Sequence, residues 1–183
     1  MSATISLMTA GEFAMLPDNG RRWELVRGLI TEMNMPAPRH GEVCCQNSFL
    51  IRYFLMDRDV GRVVTNDSGV VTERDPDTVR GADVAFYSYA RVPKGPLPAG
   101  YLTVSPEAVF EVRSPHDRWA DTLEKVAEYL RAGVLVVCVL DPETEEAHVF
   151  YADRAGVVLA GKQELALTEI HADLRIAVAR FFE

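Results

Sequence analysis

Only three cysteines occur in the 183 residues, and two of them, Cys44 and Cys45, are adjacent. A set this small and clustered suits neither a disulfide framework nor a zinc site. Long apolar runs are missing too. The longest, residues 134–140, falls far short of the roughly 20 residues a bilayer span needs and reads as a buried strand. The start of the chain lacks the basic stretch, apolar run and small-residue cleavage site of a secretory leader. A reduced, cytoplasmic, membrane-free protein is the expectation. Basic charge is also scarce: 19 Lys and Arg against 27 Asp and Glu give a net charge of −8. That argues against broad electrostatic attachment to nucleic acid, which leaves a basic footprint. It does not exclude a locally basic cleft, and clustered metal-binding carboxylates would themselves add negative charge.

What is present is an ordinary globular mixture, 48% apolar and 25% charged, long enough for one well-packed domain over residues 1–183 and short for two. No repeat or low-complexity tract interrupts it. Thr9 with Glu12 three residues on is a capping-box pattern and predicts a short helix over 9–16. Two short runs, 23–26 and 29–33, separated by Arg27-Gly28, predict a β-hairpin. Apolar spacing predicts a helix over 43–56. Strands are expected at 62–65 and 69–72 with Asn66, Asp67 and Ser68 as the turn between them, and at 83–87 after a turn at 74–77. Three prolines and two glycines make 92–100 a loop.

A strand at 107–113 follows, then a helix with Ser114 as N-cap, Pro115 in its first turn and Asp117 at N3. Ala120, Leu123, Ala127 and Leu130 are its expected apolar stripe and Gly133 its terminator. With the buried strand at 134–140 this makes a strand–helix–strand crossover. A hairpin (148–151 and 157–159) and a C-terminal helix complete the chain. The expected class is α/β or α+β, with a mixed central sheet flanked by helices and an N-terminal β-hairpin.

One residue stands out on physical grounds. Along 107–113 side chains alternate between faces, so Ala108, Phe110 and Val112 share one side while Val109, Glu111 and Arg113 share the other. Glu111 is thus a carboxylate inside an apolar strand, which is unfavourable unless it is paired or metal-bound. A structural Glu111–Arg113 pair on the sheet surface accounts for it equally well. Asp83 opens the preceding strand, where a strand-end or turn role is the simpler reading. Two carboxylates on neighbouring strands nevertheless suit Mg²⁺, which takes one or two carboxylates plus water and phosphate oxygens.

Several segments then occur in a telling order: Trp23-Glu24-Leu25-Val26-Arg27-Gly28, Pro38-Arg39-His40-Gly41, Ala82-Asp83-Val84-Ala85-Phe86, Phe110 to Asp117, and Glu124 to Tyr129, with Gly133 and Asp141-Pro142 after them. From Trp23 to Tyr151 the chain resembles the Uma-type restriction endonucleases of the PD-(D/E)XK nuclease superfamily. The resemblance implies a restriction-endonuclease-like fold and metal-dependent cleavage of nucleic acid, with DNA as the expected partner, Mg²⁺ or Mn²⁺ as the cofactor, and a homodimer. It maps the metal-binding pair onto Asp83 and Glu111. The superfamily's lysine normally lies two residues after the Glu, where this chain has Arg113; in this family the role moves onto the next helix, at Lys125. Glu24 and His40 match positions near the site, as an extra metal or water ligand and a phosphate contact. Ala82 stands where the family usually has Pro.

Lys125 also has a plainer reading, because the expected apolar stripe leaves it on the far side of its helix, in reach of Asp121 or Glu128. His116 is either a site-lining residue or a loop residue. His148 and His171 read as hairpin and surface positions, Cys44 and Cys45 as buried thiols, Trp119 and Tyr129 as packing residues. Three functions are compatible with these residues: a metal-dependent nuclease, a catalytically inactive module of the same fold that binds nucleic acid or protein, and a hydrolase of another phosphorylated substrate in a narrow pocket.

Overall fold

The computed structural model describes residues 6–17 and 20–183. The capping box forms as expected. Glu12 N–H donates to Thr9 Oγ1 at 3.2 Å and Thr9 N–H to Glu12 Oε2 at 2.8 Å, starting helix α1, Ala10–Ala14. The hairpin forms as well, from β1 (Trp23–Val26) and β2 (Leu29–Glu32). Arg27 and Gly28 both lie in the left-handed region, with φ of 50° and 77°, as a two-residue hairpin turn demands.

Helix α2 spans Pro38–Leu55, so it begins five residues earlier than its apolar spacing implied, with proline in its first turn where a missing N–H is harmless. The two strands expected at 62–65 and 69–72 are one continuous strand, β3 (Gly61–Glu73). Asn66 and Asp67 do adopt the left-handed conformation of turn residues. They form a bulge, however, shifting the register between Thr65 and Ser68 against β4 without reversing the chain. β4 runs Thr78–Ser88, so Asp83 sits mid-strand and does not open it. β5 (Ala108–Val112), α3 (Trp119–Arg131) and β6 (Val136–Asp141) build the expected crossover, with β5 and β6 parallel. β7 (Glu146–Tyr151) and β8 (Val157–Ala160) form the hairpin after it.

Two expectations near the C-terminal half need correction. α3 starts at Trp119, with Arg118 at the N-cap position and no side-chain cap, and not at Ser114. Asp117 does accept the Ser114 N–H, at 2.8 Å, but it closes a loop turn ahead of the helix. No C-terminal helix forms either. β9 (Glu164–Ala166) pairs with β10 (Arg175–Ala177), and only a 3-10 turn follows, at Val178–Phe181.

The strands assemble into a mixed eight-stranded sheet in the order β2-β1-β4-β5-β6-β7-β8, with β3 also on β4. β3 pairs along nearly the whole of β4, so β1 and β5 must share the other edge of that strand. β1 takes the start, Leu25 opposite Val79, and β5 takes Val84 to Phe86. Between them the edge forks, at residues 80–83.

Strand alternation separates two cores. Val84, Phe86, Ala108, Phe110, Val112, Cys138 and Leu140 face α2 and the C-terminal segment. Ala85, Tyr87, Val109, Val137 and Val139 face Val126 and Tyr129 of α3. The sheet is therefore flanked by helices on both faces. No described helix is long and apolar enough to cross a membrane.

Candidate active site

The fork in the sheet is where the polar residues gather. The last ladder pair of β4 and β5 is Val84 with Phe110, so one further step sets Asp83 opposite Glu111. Directly opposed residues of antiparallel strands point the same way, with Cβ atoms about 5 Å apart. In place of a further main-chain bond, the Val112 N–H donates to Asp83 Oδ2 at 2.7 Å. On the other branch, the Gly81 N–H donates to Glu24 Oε1 at 3.2 Å. Carboxylates thus satisfy backbone donors that the diverging strands leave behind.

Around this pair the structure collects three of the other four sequence candidates, Glu24, Lys125 and His40, and leaves Arg113 out. Glu24, on β1 and 3% exposed, accepts from Lys125 Nζ at 2.7 Å and from Arg80 Nη1 at 2.9 Å. Lys125 Nζ also lies 3.9 Å from Glu111 Oε2. His40, near the start of α2, places Nε2 3.3 Å from Asp83 Oδ2. Arg113 is turned elsewhere: it pairs with Asp141, donates to the Asp117 carbonyl at 3.0 Å and stacks 4.4 Å from the Trp119 ring centre. The alternative of a Glu111–Arg113 pair is therefore not what forms.

Lys125 reaches the site because α3 is rotated from its expected orientation. Thr122, Val126, Glu128 and Tyr129 are buried, whereas Leu123 is 45% exposed. What turns the helix is a buried ion cluster. Arg80, on β4, donates from Nε and Nη2 to both oxygens of fully buried Glu128, at 2.6 and 2.8 Å, while holding Glu24 with Nη1. Bidentate geometry of this kind is the strong form of the pair. Lys125 and Tyr129 lie one turn apart beside Glu128, and Tyr129 donates its hydroxyl to Glu111 Oε1 at 2.9 Å.

Sequence reasoning missed Arg80, Glu128 and the polar role of Tyr129. A signal existed in Lys125, Glu128 and Tyr129, spaced i, i+3 and i+4 on one helix face. It also took Cys44 and Cys45 as buried thiols, yet Cys45 is exposed and Cys44 only half-buried, with Sγ 3.5 Å from His40 Nδ1. Trp119 is a packing residue as read, against Arg113 and His148. His116 is exposed and lines an open cleft of about 260 Å³ together with Glu111, Arg113, Arg118 and Lys125.

The electrostatics follow from burial and crowding. Burial pushes the Glu111 carboxyl up; Asp83 and Glu24 add to this, Lys125 opposes it, and the result is about 8. Burial works against charge on Lys125 as well, but Glu111 and Glu24 outweigh it and hold the ammonium above its usual range. Glu24 goes the other way: Lys125 and Arg80 overcome its burial and lower it. Asp83 likewise outweighs burial at His40 and raises the imidazole.

A raised carboxyl has a testable thermodynamic consequence. Glu111 takes up a proton more readily in the folded chain than at its ordinary 4.5. Its contribution to stability is complete below pH 4.5 and is lost as the pH rises through about 8. In metal-free protein, the melting temperature of the wild type is expected to fall relative to that of Glu111→Gln across this window. Parallel thermal melts at stepped pH check this; curves that stay parallel would contradict it.

Comparison with known proteins bears on the fold and the family. No curated protein matches the sequence. Among solved structures, the chain resembles the crystal structure of "a putative nuclease belonging to DUF820 from Anabaena variabilis ATCC 29413", with a TM-score of 0.83 over 96% of this chain and 97% of that one. At 17% identity this is a likeness of fold. A family model, Uma2, whose description reads "Putative restriction endonuclease", matches residues 10–179, and the chain belongs to that family.

Proposed function

We propose that this chain is a metal-dependent endonuclease that hydrolyses phosphodiester bonds of nucleic acid, with DNA as its substrate and Mg²⁺ or Mn²⁺ held by Asp83 and Glu111. The observation that carries this reading is the opposition of those two carboxylates at the sheet fork, with the Lys125 ammonium 3.9 Å from one of them. The donor set fits such an ion. Both groups offer hard oxygens, the kind Mg²⁺ and Mn²⁺ prefer. Mutual repulsion helps to raise the Glu111 carboxyl, and a divalent cation would relieve that surplus of negative charge. When bound, the ion supplies a Lewis acid for the attacking water and for charge developing on the phosphate.

The remaining roles belong to the protein. Lys125 meets negative charge building on the phosphate oxygens or orients the attacking water, and Glu24 fixes the direction of its ammonium. Tyr129 fixes one oxygen of Glu111, and His40 and the Val112 N–H orient Asp83. Arg113, Arg118 and His116 line the same cleft. Asp117 and Asp121 line it too, and Arg113 is held by Asp141, so in this reading Lys125, and not Arg113, fills the lysine's role. Cutting both strands of a duplex commonly takes two centres, so the reading includes a homodimer, checked by light scattering, in a reducing cytoplasm.

The test is direct. Plasmid, single-stranded DNA and RNA are incubated with the protein in Mg²⁺ or Mn²⁺. Cleavage is expected, and is expected to vanish with chelator and in an Asp83→Ala, Glu111→Ala double variant. Cleavage equal to that of the double variant overturns the reading. Retention of DNA without calorimetric binding of either metal would assign the chain to the inactive-module class instead.

A further inference from the structure

Cys44 lies beside His40 and Asp83 and is left unused by the proposed chemistry. It lies four residues after His40 on α2, so both side chains leave the helix on one face, a turn apart. Asp83 meets them from the sheet. One ligand atom from each of His40, Cys44 and Asp83 can be chosen so that all three lie within 4.8 Å of one another. His40 stands between the other two: its Nδ1 is 3.5 Å from the Cys44 sulfur and its Nε2 is 3.3 Å from Asp83 Oδ2, and a single ion takes only one of these nitrogens. Ligands of a tetrahedral zinc ion, at about 2.0–2.3 Å from the metal, stand roughly 3.3–3.8 Å apart. Closing the set takes a turn of the imidazole that brings one nitrogen toward both partners and a contraction of the 4.8 Å spread by about 1 Å.

The geometry points to a second, softer metal site: His40, Cys44 and Asp83 bind Zn²⁺ or a similar borderline ion through nitrogen, sulfur and oxygen, leaving one position to water. Two of its three donors, the imidazole nitrogen and the thiolate, do not suit Mg²⁺, which takes oxygen ligands and keeps several waters. Thiolate and imidazole favour Zn²⁺, which also outranks Mn²⁺ in affinity for a given mixed site. The thiol proton is released on coordination, as metal–thiolate bonding requires, and no redox partner is involved.

The functional consequence rests on the nuclease reading. Asp83 belongs to both sets, so Zn²⁺ on the thiol side competes with the hard ion between Asp83 and Glu111. Micromolar zinc would then act as an inhibitor through Cys44.

Cobalt substitution tests the site without relying on activity. The full-length protein is titrated with Co²⁺, and the near-ultraviolet thiolate-to-cobalt charge-transfer band is followed in the wild type and in Cys44→Ser, Cys45→Ser and Glu111→Gln. The band is expected in the wild type, in Cys45→Ser and in Glu111→Gln. It is expected to be absent in Cys44→Ser, with Zn²⁺ affinity at least about tenfold weaker. Stoichiometric Zn²⁺ should erase the band, and excess Mg²⁺ should not. A band that survives Cys44→Ser, or none in cobalt-loaded wild type, overturns the proposal. His40→Gln guards against a misfolded serine variant: it keeps the thiol and is expected to weaken Zn²⁺ binding, and unchanged binding also overturns the proposal. Retention of the band in Glu111→Gln separates the outcomes, because the soft site then stands even if no nucleic acid is ever cleaved.

Discussion

Replacing Arg80 with methionine is expected to destabilise the fold by about 3–5 kcal/mol, the usual consequence of removing one partner from a buried ion cluster. Arg80 is the sole cation on fully buried Glu128 among the described residues, and it also holds Glu24. Lys125 still attends Glu24 in the variant, so most of the loss comes from the stranded charge on Glu128. Adding Glu128→Leu should therefore recover a large part of it, since apolar replacements of whole buried pairs are often close to neutral. Urea unfolding of the single and double variants checks both statements. A loss under about 1 kcal/mol, the scale of an exposed pair, would mean that water reaches the cluster.

Glu111→Gln is expected to lower metal-dependent cleavage by about 10³-fold or more. A bound divalent ion contributes several kcal/mol of charge stabilisation, and each factor of ten corresponds to about 1.4 kcal/mol. The amide keeps the shape of the carboxylate and can still accept the Tyr129 hydroxyl, so lost activity is not lost structure. In the absence of metal the same variant should melt above the wild type at pH 8, because it removes a charge that burial, and then the nearby Asp83 and Glu24, disfavour. Reduced activity with raised stability is the pattern of a site held in tension by its function. Single-turnover cleavage at saturating Mg²⁺ measures the first effect; equal rates in both proteins would remove Glu111 from the centre.

How far the sequence led can be judged from particular residues. The crossover of β5, α3 and β6 was legible because a strand with one polar interruption, an amphipathic segment and an unbroken apolar run have different periods. Glu111 was legible for the same reason. Asp83 was not, since an aspartate after Gly81-Ala82 looks like a turn residue until β4 is known to start at Thr78. Asn66 and Asp67 carried true conformational information, left-handed backbone, that a bulge and a turn encode alike. The orientation of α3 was misread because Leu123 and Leu130 outweigh Thr122 and Lys125 on any hydrophobic scale. Ionic pairing to Arg80 overrides that scale, and local rules of this sort are expected to fail at functional sites. The soft cluster is hidden from cysteine spacing, because its three ligands come from two elements separated by about 40 residues of sequence.

The fork in β4 has one more implication. Amide protons of Gly81 and Val112 are covered by Glu24 and Asp83 rather than by a neighbouring strand. At this point the sheet's resistance to local opening depends on how two side chains are ionised or ligated, whereas elsewhere it depends on ladder length. Any event at the carboxylates is thereby written into the solvent-exchange lifetimes of two backbone amides, which makes the sheet itself an internal gauge of the site's occupancy.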